Sequence, residues 1–157
     1  MCWTCDHPGA DRVDYLDHVR KLITAHRWAV QGVERDRWRP SWAYTVGLTP
    51  LGHPEIVVTG MPLQPAADLL NDAAAHAVRE GLPEAGEQIP LRGGPLAEIV
   101  ELAHPEVHLE VAVALYGSDV RALQLVRADE RGRFPWEPGH RAGRGGQPVL
   151  GPRAPAR

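Results

Sequence analysis

Hydrophobic positions along the chain fall first into a helical and then into a strand rhythm. Val13, Leu16, Val19, Leu22 and Ile23 recur three and four residues apart, the spacing of one helix face. Asp11 stands where an N-cap belongs, with Asp14 three residues on. Acidic residues at the start and Arg20, Lys21, His26 and Arg27 near the end suit the helix dipole, so a helix is predicted over about 11–26. The rhythm then shortens. Trp28 to Val33, Trp42 to Leu48 and Glu55 to Gly60 read as strands. The second places large apolar residues on one face and small ones on the other. Pro50-Leu51-Gly52-His53-Pro54 is turn chemistry. The links between these strands are too short for crossover helices, which predicts an antiparallel meander.

A second helix is expected from near Pro65 to just before Gly81, burying Ala66, Leu69, Leu70, Ala73 and Ala77. Its alanines imply close packing on a sheet. Residues 82–95 read as loop around Gln88-Ile89-Pro90-Leu91, and Ala97 to Leu102 as a strand. The stretch 105–117 fits two periods. Val107, Leu109, Val111, Val113 and Leu115 alternate as in a strand, while Pro105 and Gly117 bracket about three helical turns. The bracketing favours helix. Val120 to Val126 is the last predicted strand.

The elements add up to an α+β fold, a mostly antiparallel sheet with two or three helices packed on it. Three regions are expected: an N-terminal Cys-x-x-Cys segment over 1–10, one domain over 11–139, and a flexible Arg/Gly/Pro-rich tail over 140–157. A length of 157 residues and 43% hydrophobic content suit a single core. No stretch approaches the ~18–20 apolar residues needed to span a bilayer, so no membrane partner is expected. The N-terminus lacks a basic region followed by an apolar run, and a cytoplasmic location is the expectation.

Charge changes the picture only at the C-terminal end. Residues 131–157 carry six arginines against Glu137, a local +5 within a net charge of −3. Such a tail could meet a polyanion. Only one of the 17 basic residues is a lysine, Lys21, which suggests a coding bias toward arginine. No nucleic-acid-binding module accompanies the tail, so nucleic acid is disfavoured against a small-molecule or protein partner.

Several segments resemble one family. Met1-Cys2-Trp3-Thr4-Cys5-Asp6, Trp42-Ala43-Tyr44-Thr45-Val46-Gly47-Leu48, Pro54 to Gly60 and Ala122 to Val126 are similar to the domain of unknown function 4262 family, as are Gly132 to Gly139 and Gln147 to Gly151. The resemblance covers nearly the whole chain. It implies a small bacterial protein, with no particular reaction or ligand, and it would place an aromatic at position 127, where this chain has Arg127.

Two constellations can carry chemistry. Cys2 and Cys5 have the spacing for one metal ion or a reactive disulfide, with His7 nearby. His104 and His108 would share a helix face, so Cys2, Cys5, His104 and His108 form a candidate zinc site. The plainer reading leaves the histidines at a helix start and on the surface. Trp42, Tyr44, His53 and Glu55 gather at the predicted hairpin as a candidate pocket, joined by Trp136. Against it, Trp42 and Tyr44 are ordinary core aromatics and His53 an ordinary turn residue. Phe134 and Trp136, set between prolines, are expected to clamp the following segment onto the body. There is no Gly-x-Ser-x-Gly elbow and no glycine-rich phosphate loop, so hydrolase and nucleotide-phosphate enzyme readings are disfavoured. A binding or interaction module is the leading expectation. The alternative is a zinc-dependent or thiol-redox enzyme built on Cys2 and Cys5.

Overall fold

The structure, a computed structural model, describes residues 3–155. Among these, a short helix α1 (Trp3–Asp6) precedes α2 (Arg12–His26). Asp11 caps α2 as the spacing predicts: its carboxylate accepts from the Asp14 N–H at 3.0 Å, and the Asp14 carboxylate accepts from the Asp11 N–H at 3.0 Å. Strands β1 (Ala29–Val33), β2 (Trp42–Val46) and β3 (Glu55–Thr59) follow. Helix α3 (Leu63–Glu80) leads to β4 (Gln88–Pro90) and β5 (Leu96–Glu101). The ambiguous stretch is helical, as α4 (Pro105–His108) and α5 (Glu110–Tyr116), and β6 (Ala122–Arg127) completes the set.

The sheet has the order β1-β2-β3-β6-β5-β4. Its first three strands form the expected antiparallel meander, with Val33 opposite Trp42 and Trp42 opposite Thr59. Neighbours are antiparallel throughout except β3 and β6, which run parallel through Glu55–Ala122, Ile56–Leu123 and Val57–Gln124. The sheet is therefore mixed rather than antiparallel throughout. The parallel pairing follows from the long connection between the two strands, which contains α3, β4, β5 and α5 and lets the chain return in the same direction.

Helices cover both faces. Ala66, Leu70, Ala74 and Ala77 of α3 pack on Ala43, Ile56, Val58, Ile99, Leu123 and Leu125. Ala43 puts a small residue beneath the alanine-rich helix, which lets the backbones approach. On the opposite face Val19 of α2 and Ala112 of α5 pack with Tyr44, Val46 and Val57. Full burial of a side chain such as Leu70 stabilises the fold by about 1.5–3 kcal/mol.

A third cluster, Val100, Val126, Ala128 and Phe134 with Trp136 and Val149, is built by the C-terminal segment. Phe134 and Trp136 stack with centroids 5.1 Å apart, and the Arg153 guanidinium lies 4.1 Å from the Trp136 ring centre. The segment expected to be a flexible tail is docked over 147–153. The buried Gln124 amide donates to the Pro148 carbonyl at 2.7 Å and its oxygen accepts from the Leu150 N–H at 2.8 Å. Arg153 also grips Glu98 through two bonds at 2.9 and 3.0 Å. The Gln124 contacts use a buried side-chain amide as the backbone's partner.

Candidate functional site

The two predicted constellations touch where Trp42 meets His108, and most of their polar atoms have partners within the fold. Glu55 is fully buried, with both oxygens occupied. One accepts from the N–H groups of Gly47 and Thr49 and the Thr49 hydroxyl at 3.1, 2.9 and 2.8 Å. The other accepts from the Thr45 hydroxyl at 2.7 Å and the Leu48 N–H at 3.3 Å. Glu55 thus organises the turn after β2. Tyr44 is buried beneath α5, where its hydroxyl accepts from the Val111 N–H at 3.1 Å. Burial pushes its phenol up to about 12. Trp42 donates through Nε1 to the His108 carbonyl at 2.9 Å. His53 is half-buried in the turn. Trp136 belongs to the cluster around Phe134, apart from the one that holds Trp42 and Tyr44.

His104 sits at the N-cap of α4 with φ 54° and ψ 60°, outside the helix, and its Nδ1 lies 3.1 Å from the Glu106 carboxylate. His108 ends the same helix. Its imidazole is held below its ordinary value by partial burial and by the Arg39 charge. Cys5 is exposed in α1, and Cys2 lies outside the described residues. Among the described residues no group of three or more His, Cys, Asp or Glu side chains could hold a metal ion.

A different place collects unsatisfied polar atoms. The carboxyl ends of the parallel strands β3 and β6 open into a cleft of about 1060 Å³, bordered by Gly60–Pro62, Arg127, Asp129, His140, Arg141, Arg144 and Gln147. Strand ends at a parallel junction are where open mixed sheets tend to leave a crevice. Each wall is locally fixed. Gln147 pairs with the backbone of Arg127, accepting its N–H and donating to its carbonyl, both at 2.9 Å. Gly60 has φ 68°, and a Cβ there would overlap the Gly146 carbonyl, so glycine is required where the two chain segments touch. Asp129 accepts from the N–H groups of Arg131, Arg133 and Arg141 at 2.9, 2.9 and 2.8 Å. The Arg141 N–H bond, followed by the Arg133 one, holds its carboxyl below the usual range.

Among the described residues, two buried nitrogens beside this cleft have no partner, Arg127 Nε and His140 Nε2. Arg127 donates from Nη2 to the Thr59 carbonyl at 3.1 Å. Burial lowers its pKa, and the Arg141 charge lowers it further. Among the described residues no carboxylate pairs with it; its charged neighbour is another arginine. His140 is 7% exposed, and its Nδ1 lies 2.7 Å from the Arg133 carbonyl. A carbonyl only accepts, so Nδ1 carries the hydrogen. Nε2 is then a lone pair in the neutral ring and a donor in the charged one.

Residues 22–141 match the family described as Domain of unknown function (DUF4262). The chain belongs to this family. No curated protein and no solved structure matches the chain. The family region includes β3, β6, Arg127 and His140, while Arg144 and Gln147 lie past its end.

Sequence reasoning missed the cleft. Arg127 was visible as a cation ending a strand, Ala122 to Val126, whose other polar residue is Gln124. That signal is available to any reader of the pattern. His140 gave none, because its burial depends on an irregular stretch in which Arg141 and Ala142 take φ of 45° and 54°.

Proposed function

We propose that this protein is a binding module whose cleft at the ends of β3 and β6 takes a small anion. One observation carries the reading: a largely buried Arg127 guanidinium that lacks a carboxylate partner and borders an open cleft. An unpaired buried charge costs several kcal/mol. An anionic ligand in the cleft would supply the missing counter-charge. Arg141 and Arg144 add to the positive field. Two acids border the cleft, Asp129 and Glu130, and Asp129 is already committed to backbone N–H groups. The start of α3 adds to the same field: Pro62 caps it without a side-chain bond, and its first turn has no acid.

The test is calorimetric titration with inorganic phosphate at fixed ionic strength, on wild type and on Arg127→Met. Wild type is expected to bind and to unfold at higher temperature as phosphate rises. Arg127→Met is expected to fold and to show no such response. Equal binding by both proteins, or no response of wild type to phosphate, sulfate or acetate, removes the proposal.

A further inference from the structure

Beside the cleft lies a second hollow of about 980 Å³, formed by the loop between β1 and β2. The two share Gly60, Met61, Pro62 and Arg141. Its outer wall is Trp38, 81% exposed and the most exposed large apolar side chain among the described residues. Such exposure usually accompanies a loose loop, yet this loop is pinned. The Asp36 carboxylate accepts from the N–H groups of Trp38 and Arg39, both at 2.7 Å, and the Asp36 N–H donates to the Arg39 carbonyl at 3.0 Å. The Ser41 hydroxyl donates to the Met61 carbonyl at 2.8 Å, and the Gly60 N–H to the Ser41 carbonyl at 2.8 Å. The fold therefore holds the backbone that presents an exposed indole beside a cationic cleft. Arg37 stands 5.2 Å from the ring centre, which adds positive charge at the same wall.

We infer that the ligand is a nucleoside monophosphate: its phosphate sits by Arg127 and Arg141, and its base stacks on Trp38. This rests on the anion-binding reading above. Stacking on an exposed indole needs only a flat ring with a π face, and an arginine beside it favours a ring that also accepts hydrogen bonds. Arg141 borders both hollows, so one molecule can place its phosphate on one side of that side chain and its ring on the other. No glycine-rich phosphate loop is needed, because arginine side chains supply the charge. A bare anion leaves Trp38 unused. A neutral aromatic leaves Arg127 unpaired.

Calorimetry with adenosine 5′-monophosphate, adenosine, inorganic phosphate and benzoate, at one ionic strength, tests the inference. The nucleotide is expected to bind at least about tenfold tighter than phosphate, a stacking contribution of ordinary size. Trp38→Ala should remove that advantage while phosphate binds as before, and Trp38→Phe should keep most of it. Nucleotide binding should quench tryptophan fluorescence in wild type and not in Trp38→Phe. If phosphate binds and the nucleotide binds no tighter, or Trp38→Ala weakens both equally, this inference falls and the anion site stands. Benzoate matching the nucleotide overturns the phosphate assignment. A thymidine tetranucleotide binding more tightly than the mononucleotide, with steep salt dependence, overturns the small-ligand assignment in favour of single-stranded nucleic acid. If none of these probes binds, both readings fall.

Discussion

Replacing Glu55 with Gln changes one atom type at the most heavily bonded carboxylate described here. Five donors converge on it, three of them backbone N–H groups. Glutamine must turn an NH₂ toward one half of that set. Its cheaper orientation faces the Thr45 hydroxyl and the Leu48 N–H. Thr45 can rotate to accept, but the Leu48 N–H then meets another donor. An orphaned buried donor costs about 1–3 kcal/mol. The remaining bonds also weaken as a charged acceptor becomes a neutral one. Loss of the buried charge relieves some desolvation and offsets part of this. Together these give about 2–4 kcal/mol of destabilisation. For a domain of this size that is roughly 5–15 °C in Tm. Urea unfolding of wild type and Glu55→Gln, followed by circular dichroism, measures it. A change in unfolding free energy of less than about 0.5 kcal/mol, the range of a neutral surface change, would refute the view that this carboxylate organises the turn.

Other outcomes are open to measurement. Arg127→Met removes an unpaired buried cation at the loss of one bond to the Thr59 carbonyl, so the variant should unfold at an equal or higher urea concentration than ligand-free wild type. Tyr44→Phe leaves the Val111 N–H without its acceptor and should cost about 1 kcal/mol. In an ultraviolet pH titration of the folded protein, the phenol that ionises near about 12 should vanish in this variant. That raised value means Tyr44's share of stability is whole below pH 10 and is lost as pH climbs through about 12. The Arg153 bond holds the Glu98 carboxyl below its usual 4.5. Its contribution is whole above that value and is lost as pH falls through the lowered one. Arg153→Gln should therefore be less stable than wild type by about 1 kcal/mol at neutral pH, since Arg153 is half exposed, and this difference should shrink in acid.

Local signals were the legible ones. The capping box at Asp11 and Asp14, the meander of β1 to β3 and the alanine face of α3 are each written within a few neighbouring residues. The helix at 105–116 was legible through Pro105 and Gly117 despite a strand-like alternation, because turn residues constrain the backbone more directly than apolar spacing does. What could not be read was long-range. Nothing near Ala122 says that it lies parallel to Glu55, and nothing near Gln147 says that it clasps Arg127. The cleft depends on both. The aromatic hairpin drew attention because Trp42, Tyr44 and Glu55 look like site residues, yet their polar atoms are all consumed by the fold.

The parallel junction also bears on how the chain is made. β1 to β3 are contiguous in the chain, but the next strand of the sheet, β6, lies more than sixty residues downstream of β3. During that interval the inner edge of β3 is open, and it is the strand with every residue buried in the finished protein. Side-chain bonds from Gln124 to Thr59 and Pro148 then lock the late partner in place. Until β6 has been synthesised, the inner edge of β3 lacks its native partner, so the sheet cannot be completed from the N-terminal half alone.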